Sequence, residues 1–177
     1  MAAVLSTLDV TAYPSITHYR YQSHGTEVLA AVLGPYESRA AKKAYYERVH
    51  VDVVVSHLDF TEDTAEVEAR VKACVATLIS GEQYPYLAIM VNLQVIKAGQ
   101  EALLPVCLNA AYLALLESGL ALKHGLYAEE VNGVTIALVP DTSLVIQSFG
   151  SALVQREAYV DAVRQVYRHS RKVPKPL

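Results

Sequence analysis

Arg39, Lys42, Lys43 and Arg48 fall within ten residues, and Arg20 lies a short way upstream. Positive charge and hydrogen-bond donors are all that a phosphate backbone asks of a protein surface. These five residues are therefore the candidate phosphate-contact set. A solvated loop has the same composition, so both readings stand at this point. Other chemistry finds no frame. Cys74 and Cys107 are far apart and without a CxxC partner, on predicted helix faces lined by Val, Leu and Ala, where a thiolate is disfavoured. The six histidines form neither HxxxH nor HExxH, and His50 and His57 lie on opposite faces of a predicted strand. The chain contains no GxGxxG, no GxxxxGK[ST] and no GxSxG. No catalytic residue, metal site or cofactor is expected.

The elements that must position the cations belong to a chain of 177 residues, read as one domain over 1–177. Apolar residues make up 53% and charged residues 19%, which excludes a disordered chain. Two cysteines make no disulfide framework and point to a reducing compartment. A net charge of -3 argues against wrapping duplex DNA, so no DNA partner is expected. The apolar stretches around Tyr86–Ile96 and Ala102–Leu116 are too short and too interrupted to span a bilayer, and the N-terminus has no basic region before its apolar residues. No membrane association is expected. Tyrosine dominates the aromatics, with 12 Tyr, 2 Phe and no Trp. Its ring packs while its hydroxyl finds a partner, which suits half-buried interfaces.

Periodicity supplies the order. Ser15–Ser23 and Glu27–Leu33 read as strands joined at His24-Gly25, with Gly34-Pro35 ending the second. Arg48–His57 alternates, with Val49, Val51, Val53 and Val55 on one face. Thr61–Ser80 has helical spacing through Val67, Val71, Cys74, Val75 and Leu78, with Glu66–Arg70 and Glu68–Lys72 as i, i+4 pairs and Gly81 as its stop. Tyr86–Ile96 reads as a central strand. Ala102–Ser118 is a helix apolar nearly all round, so it must be packed on more than one side. Gly125–Val131 and Val134–Val139 flank Asn132-Gly133 as a hairpin. Leu144–Phe149 adds a strand and Ser151–His169 an amphipathic helix. A basic tail follows at about 170–177. Strands and helices do not alternate strictly, so the fold class is α+β with a mixed sheet packed against helices.

EVLAAVLGPYESRAAKKAYYERVHVDVVVS resembles the N-terminal strands of the RNase PH family, in which a strand pair ends in Gly-Pro followed by Glu and a basic residue. Those positions are Gly34, Pro35, Glu37 and Arg39 here. LAIMVNLQVIKAGQEALLPVCLNAAYLALLESGLALKHGLYA is similar to that family's strand, glycine turn and alanine-rich buried helix. LVPDT stands where members carry an Asp-rich strand end. The likeness runs over about Tyr19–Thr142. It implies an RNase PH-type domain, akin to ribosomal protein S5 domain 2. Within the family the chain resembles the small single-domain subunits of the eukaryotic RNA exosome core ring.

The departures from the family shape the expected function. Active members resemble one another in an Arg-containing phosphate loop between the central strand and the buried helix. Here Lys97 to Pro105 reads KAGQEALLP, without Arg and with Glu101. Active members also carry two aspartates at the strand end; VPDTS supplies only Asp141. Holding phosphate beside a scissile phosphate needs fixed positive charge. The resemblance thus implies a non-catalytic structural subunit, a pseudo-enzyme that supports 3′–5′ RNA processing, rRNA included, and RNA degradation. Its implied partners are other RNase PH-like exosome subunits, as a heterodimer within a six-membered ring, together with cap subunits, an associated nuclease and RNA. The implied location is the nucleus, nucleolus and cytoplasm. The alternatives are an active phosphorolytic 3′–5′ exoribonuclease and an α+β interaction adaptor with no RNA role.

Overall fold

The computed structural model describes residues 16–23, 25–37, 49–57, 64–99, 103–131, 133–139 and 145–149. Strand β1 is Ile16–Ser23 and β2 is Thr26–Glu37. Strand β3 is His50–His57, helix α1 is Ala65–Leu78, and β4 is Leu87–Lys97. Helix α2 is Leu103–Glu117, followed by β5 (Tyr127–Val131), β6 (Val134–Leu138) and β7 (Val145–Phe149). The first four strands form one sheet in the order β1-β2-β4-β3, and the last three form a second in the order β5-β6-β7. Only β3 and β4 run parallel, joined through α1, so the first sheet is mixed, as expected of the α+β class. The expected helix over Ser151–His169 and the basic tail lie outside the described residues.

Alternation sets which face of the first sheet is buried. Val28, Ala30 and Val32 on β2 pair across to Val95, Leu93 and Val91 on β4, and all six are buried. Val51, Val53 and Val55 continue the same face on β3. On the opposite face Val54, Asn92 and Gln94 are exposed. β4 is central, as its pattern indicates, but that second face is only partly covered.

Helix α2 fills the space between the two sheets. Leu104 through Ala111 are buried without a break, along with Ala114 and Leu115. It packs against β1 and β2 on one side and β5 and β6 on the other. This is the packing on more than one side that an all-round apolar helix requires. Small residues Ala110, Ala111 and Ala114 let both sheets come close. Strand β6 is buried along its whole length.

Three expected details differ. Strand β2 does not stop at Gly34-Pro35 but runs to Glu37. Leu33 pairs with Met90 and Tyr36 with Ala88, so Gly34 and Pro35 together oppose Ile89 in a bulge. The bulge takes up the proline's missing donor, and the Gly34–Pro35 peptide is cis. Helix α1 is shorter than Thr61–Ser80. It begins after Thr64, whose hydroxyl donates to the Val55 carbonyl (2.9 Å) and makes no cap bond. It ends at Leu78, and Gly81 opens a 3₁₀ turn over Gly81–Gln83 instead of closing the helix. Glu66 and Arg70 pair as expected, but Glu68 and Lys72 do not pair with each other. The Glu68 carboxylate accepts the Val55 N–H at 2.7 Å, and Lys72 Nζ donates to Asp52 at 2.8 Å. Strand β3 offers both side chains better-fixed partners than the open helix face does.

Candidate nucleic-acid interface

The first sheet has two ends, and the residues of interest divide between them. At one end the β1–β2 turn at Gly25 meets the chain leaving β4. Thr26 is buried there, and its hydroxyl oxygen accepts the Gly99 N–H at 2.9 Å. Lys97 stands opposite Glu27, and Glu27 also holds the Arg20 guanidinium. That hydrogen bond and charge raise the Arg20 pKa further above its ordinary value. Arg20 therefore already has a carboxylate partner. Helix α2 starts just beyond, at Leu103. This is the end where the KAGQEALLP segment lies; Gln100, Glu101 and Ala102 are outside the described residues, as is Asp141.

At the other end the chain leaves β2 after Glu37 and returns at Val49. Arg39, Lys42, Lys43 and Arg48 belong to the intervening segment, which lies outside the described residues. Arg20 pairs with Leu29, eight residues before Glu37 along β2. At ~3.4 Å per residue that is roughly 27 Å. Arg20 thus lies this far along the sheet from Glu37, the last described residue before the other four cations. The same arithmetic applied to the eleven residues of β4 separates the two ends by roughly 35 Å. The described chain thus leaves β2 at Glu37 at one end of this sheet and leaves β4 at Lys97 at the other.

The return at Val49 is well anchored. The Val49 N–H donates to the Gly81 carbonyl at 3.2 Å. The Ser80 N–H donates to the Ala121 carbonyl at 2.9 Å, and the Lys123 N–H to the Leu78 carbonyl at 2.7 Å. Tyr84 Oη accepts the Ala121 N–H at 2.9 Å. On β3 the Asp52 carboxylate sits between Lys72 Nζ and His50 Nε2, at 2.8 and 2.9 Å. The hydrogen bond from Lys72, more than the one from His50, lowers the Asp52 pKa. A cleft lined by Val49, His50, Lys72, Ile79, Glu82 and Lys123 opens beside this network. Its rim carries both signs of charge, so the described residues alone offer no strong anion site.

Covalent and metal chemistry gain no support here. Cys74 and Cys107 are buried, and burial pushes each thiol up to about 12, which keeps both protonated. Among the described residues no group of three His, Cys, Asp or Glu could hold a metal ion, and no helix is long and apolar enough to cross a membrane.

Two features of the site end escape sequence reasoning. Tyr36 and Tyr86 stand exposed there, and Tyr86 has a left-handed backbone with φ 63°. The Gly-Pro bulge that re-aims Tyr36 was visible only as a strand stop. The surplus of tyrosine was the one available signal.

Residues 19–121 match the family model described as the 3′ exoribonuclease family (RNase PH), domain 1. The chain belongs to the RNase PH family. The matched span takes in β1 through α2 and therefore both ends of the first sheet. Among RNase PH relatives, the chain is 27% identical over 134 residues to "Exosome complex component RRP46" of Saccharomyces cerevisiae, covering 71% of this chain and 57% of that protein. It is 30% identical over 115 residues to "Putative exosome complex component RRP41" of Caenorhabditis briggsae, covering 58% and 47%. The chain thus spans about half the length of these relatives. A crystal structure of rice (Oryza sativa) Rrp46 superposes with a TM-score of 0.68 at 23% identity, covering 88% of this chain and 89% of that one. That likeness establishes the RNase PH fold, a mixed sheet packed with helices.

Proposed function

We propose that this chain is a structural, non-phosphorolytic RNase PH-like subunit of an RNA exosome core ring. The observation that carries the reading is the pairing of family membership with the sequence of one loop. The chain is similar to two proteins named as exosome components, yet its loop after β4 has no arginine. At that end of the sheet Glu27 already engages Arg20 and stands opposite Lys97. With Glu101 in the loop sequence, Glu27 and Glu101 offset Arg20 and Lys97, so an inorganic phosphate and an RNA phosphate brought together would meet no net positive charge from these four residues. The role left to the chain is architectural. It packs beside other RNase PH-like subunits in a six-membered ring, with cap subunits and an associated nuclease, and supports 3′–5′ RNA processing and degradation by that nuclease. RNA passes the segment carrying Arg39, Lys42, Lys43 and Arg48. The complex would work in the nucleus, nucleolus and cytoplasm, which fluorescence microscopy of the tagged chain would check.

Two measurements test the reading. Affinity purification of the tagged full chain should bring down RNase PH-like subunits in stoichiometric amounts, and a chain that purifies alone would refute the ring. The purified chain, given single-stranded RNA with phosphate or with magnesium, should not shorten it. Phosphate-dependent release of nucleoside diphosphates that is lost on Asp141→Asn would instead establish the active-enzyme alternative.

A further inference from the structure

The cleft beside the Asp52 network is assembled from four separate parts of the chain. Val51 comes from β3, Lys72 and Ala76 from α1, Ile79 and Glu82 from the link into β4, and Lys123 from the link between α2 and β5. Its volume is about 320 Å³, at the small end of the range for ligand pockets. Backbone bonds fix its walls. The Val49, Ser80 and Lys123 N–H groups hold the carbonyls of Gly81, Ala121 and Leu78, and Ile79 and Leu122 form an antiparallel bridge. The 3₁₀ turn adds bonds from the Gln83 N–H to the Ser80 carbonyl at 3.0 Å and from the Tyr84 N–H to the Gly81 carbonyl at 3.2 Å. The walls therefore need no ligand to hold their places.

The lining sorts what the cleft can take. Val51, Ala76 and Ile79 make an apolar floor. Lys72 is committed to Asp52, which also holds His50. Lys123 and Glu82 are exposed, and among the described residues neither side chain forms an ion pair, not even with the other. A phosphate would gain only the Lys123 ammonium and would meet the Glu82 carboxylate. A wholly apolar ligand would strip water from both charges and return nothing. The match is an apolar side chain with one charge of each sign beside it. A peptide carries that set on successive residues, and its backbone can stay in water on the open side, where the Lys72 and Asp52 side chains are 47% and 41% exposed. We propose that this cleft docks a peptide segment of another protein in which an aliphatic residue stands between an acidic and a basic one. The aliphatic side chain fills the floor, the acidic residue meets Lys123 and the basic residue meets Glu82.

The test titrates the full chain, with any subunits that co-purify, against fluorescein-labelled peptides GGDLKGG and GGKLDGG and reads fluorescence anisotropy. At least one of the two orders should bind saturably. Replacing its leucine by serine should weaken binding by more than roughly tenfold, since a buried leucine contributes more than an exposed ion pair. Replacing its charged residues by Asn and Gln should weaken it by up to about fivefold for each lost pair. Ala76→Phe fills the cleft from an exposed position on α1 and should abolish binding with the urea midpoint unchanged. Lys123→Glu should weaken the preferred peptide, and Lys123→Glu/Glu82→Lys should prefer the opposite residue order. Photo-leucine in place of the leucine should crosslink to α1 or to residues 79–82. Absence of saturable binding by either peptide would overturn the proposal. So would parent-like binding by Ala76→Phe, or equal affinity for the uncharged peptide. Free leucine binding as tightly as the peptides would make the cleft an amino-acid site, and displacement of the peptide by inorganic phosphate but not by chloride would make it an anion site; either result overturns peptide docking.

Discussion

Asn109 on α2 and Ala128 on β5 are joined by two hydrogen bonds of 2.8 Å each: Asn109 Nδ2 donates to the Ala128 carbonyl, and the Ala128 N–H donates to Asn109 Oδ1. The side-chain amide thus pairs with the edge of β5 as a neighbouring strand would. It satisfies two backbone groups that the apolar helix could not, and it fixes the height of the second sheet on α2.

Replacing Asn109 should therefore cost more than its small volume suggests. Asn109→Leu leaves the Ala128 N–H and C=O buried without partners, at about 1–3 kcal/mol each. Urea unfolding should show a loss of roughly 2–5 kcal/mol. Asn109→Asp keeps one acceptor but faces the carbonyl with a second oxygen. Its carboxyl is held protonated by that contact, so its folded pKa lies above the unfolded value near 4. The variant should be least stable at neutral pH and recover as the pH falls toward 4. A loss below 0.5 kcal/mol for the leucine variant would contradict the clamp.

The bulge on β2 gives a second contrast. A Cβ on Gly34 would lie 2.8 Å from the Ala88 carbonyl oxygen, a backbone atom of the central strand, at a φ of +118°. Gly133 has a φ of +77° but open space around its Cβ position. Gly34→Ala should cost about 2–4 kcal/mol, combining backbone strain with overpacking. Gly133→Ala should cost about 1–2 kcal/mol from its backbone alone. Urea midpoints of the two variants measured side by side check the order; equal losses would mean that β4 yields without resistance.

Those two residues mark where sequence reading stops. The alternation of β3, the central place of β4 and the buried face of α1 were legible because one buried face imposes one period. The partition of the seven described strands into two sheets was not, since pairing between distant segments leaves no local trace. Asn109 read only as an interruption of an apolar stretch, although an amide within a helix buried all round must find partners there. Gly34-Pro35 read as a stop because proline lacks a donor, whereas the bulge makes that donor unnecessary. Glu68 and Lys72 fit a helix pair by spacing, and tertiary partners on β3 overrode it. At the candidate site the cations were legible as composition. The corner formed by Tyr36 and Tyr86 depended on the register of β2 against β4.

Alkaline pH should reveal the buried thiols. Cys74 and Cys107 are pushed up to about 12 by burial, while in the unfolded chain they ionise near 8.5. Above that value the unfolded state sheds protons that the folded state keeps, so stability falls as pH rises from about 8.5 toward 12. The slope is at most ~1.4 kcal/mol per pH unit for each thiol. Tyr21, raised chiefly by burial, adds the same sign from about pH 10 upward. In a Cys74→Ala/Cys107→Ala variant the decline between pH 9 and 10 should flatten, as read by urea unfolding. Iodoacetamide should modify neither thiol of the native parent at pH 8. Rapid labelling under native conditions would place the thiols outside the core.

The basic segment makes the functional prediction. The described residues at its end of the sheet carry both signs of charge, with Lys72 committed to Asp52 and with Glu37 and Glu82 exposed. In this reading the attraction for RNA comes from Arg39, Lys42, Lys43 and Arg48. Contacts of this kind act through released counterions and carry no base preference. In the purified complex, Arg39→Ala/Lys42→Ala/Lys43→Ala should weaken oligo(A) and oligo(U) binding alike. It should also make the log–log salt dependence shallower by up to ~0.7 for each lost contact with a single strand. Arg20→Ala should leave that slope unchanged, since its guanidinium is already held by Glu27 and lies about 27 Å along the sheet from Glu37. A slope that moves with Arg20 and stays fixed with the triple variant would shift the RNA contact to the opposite end of the sheet.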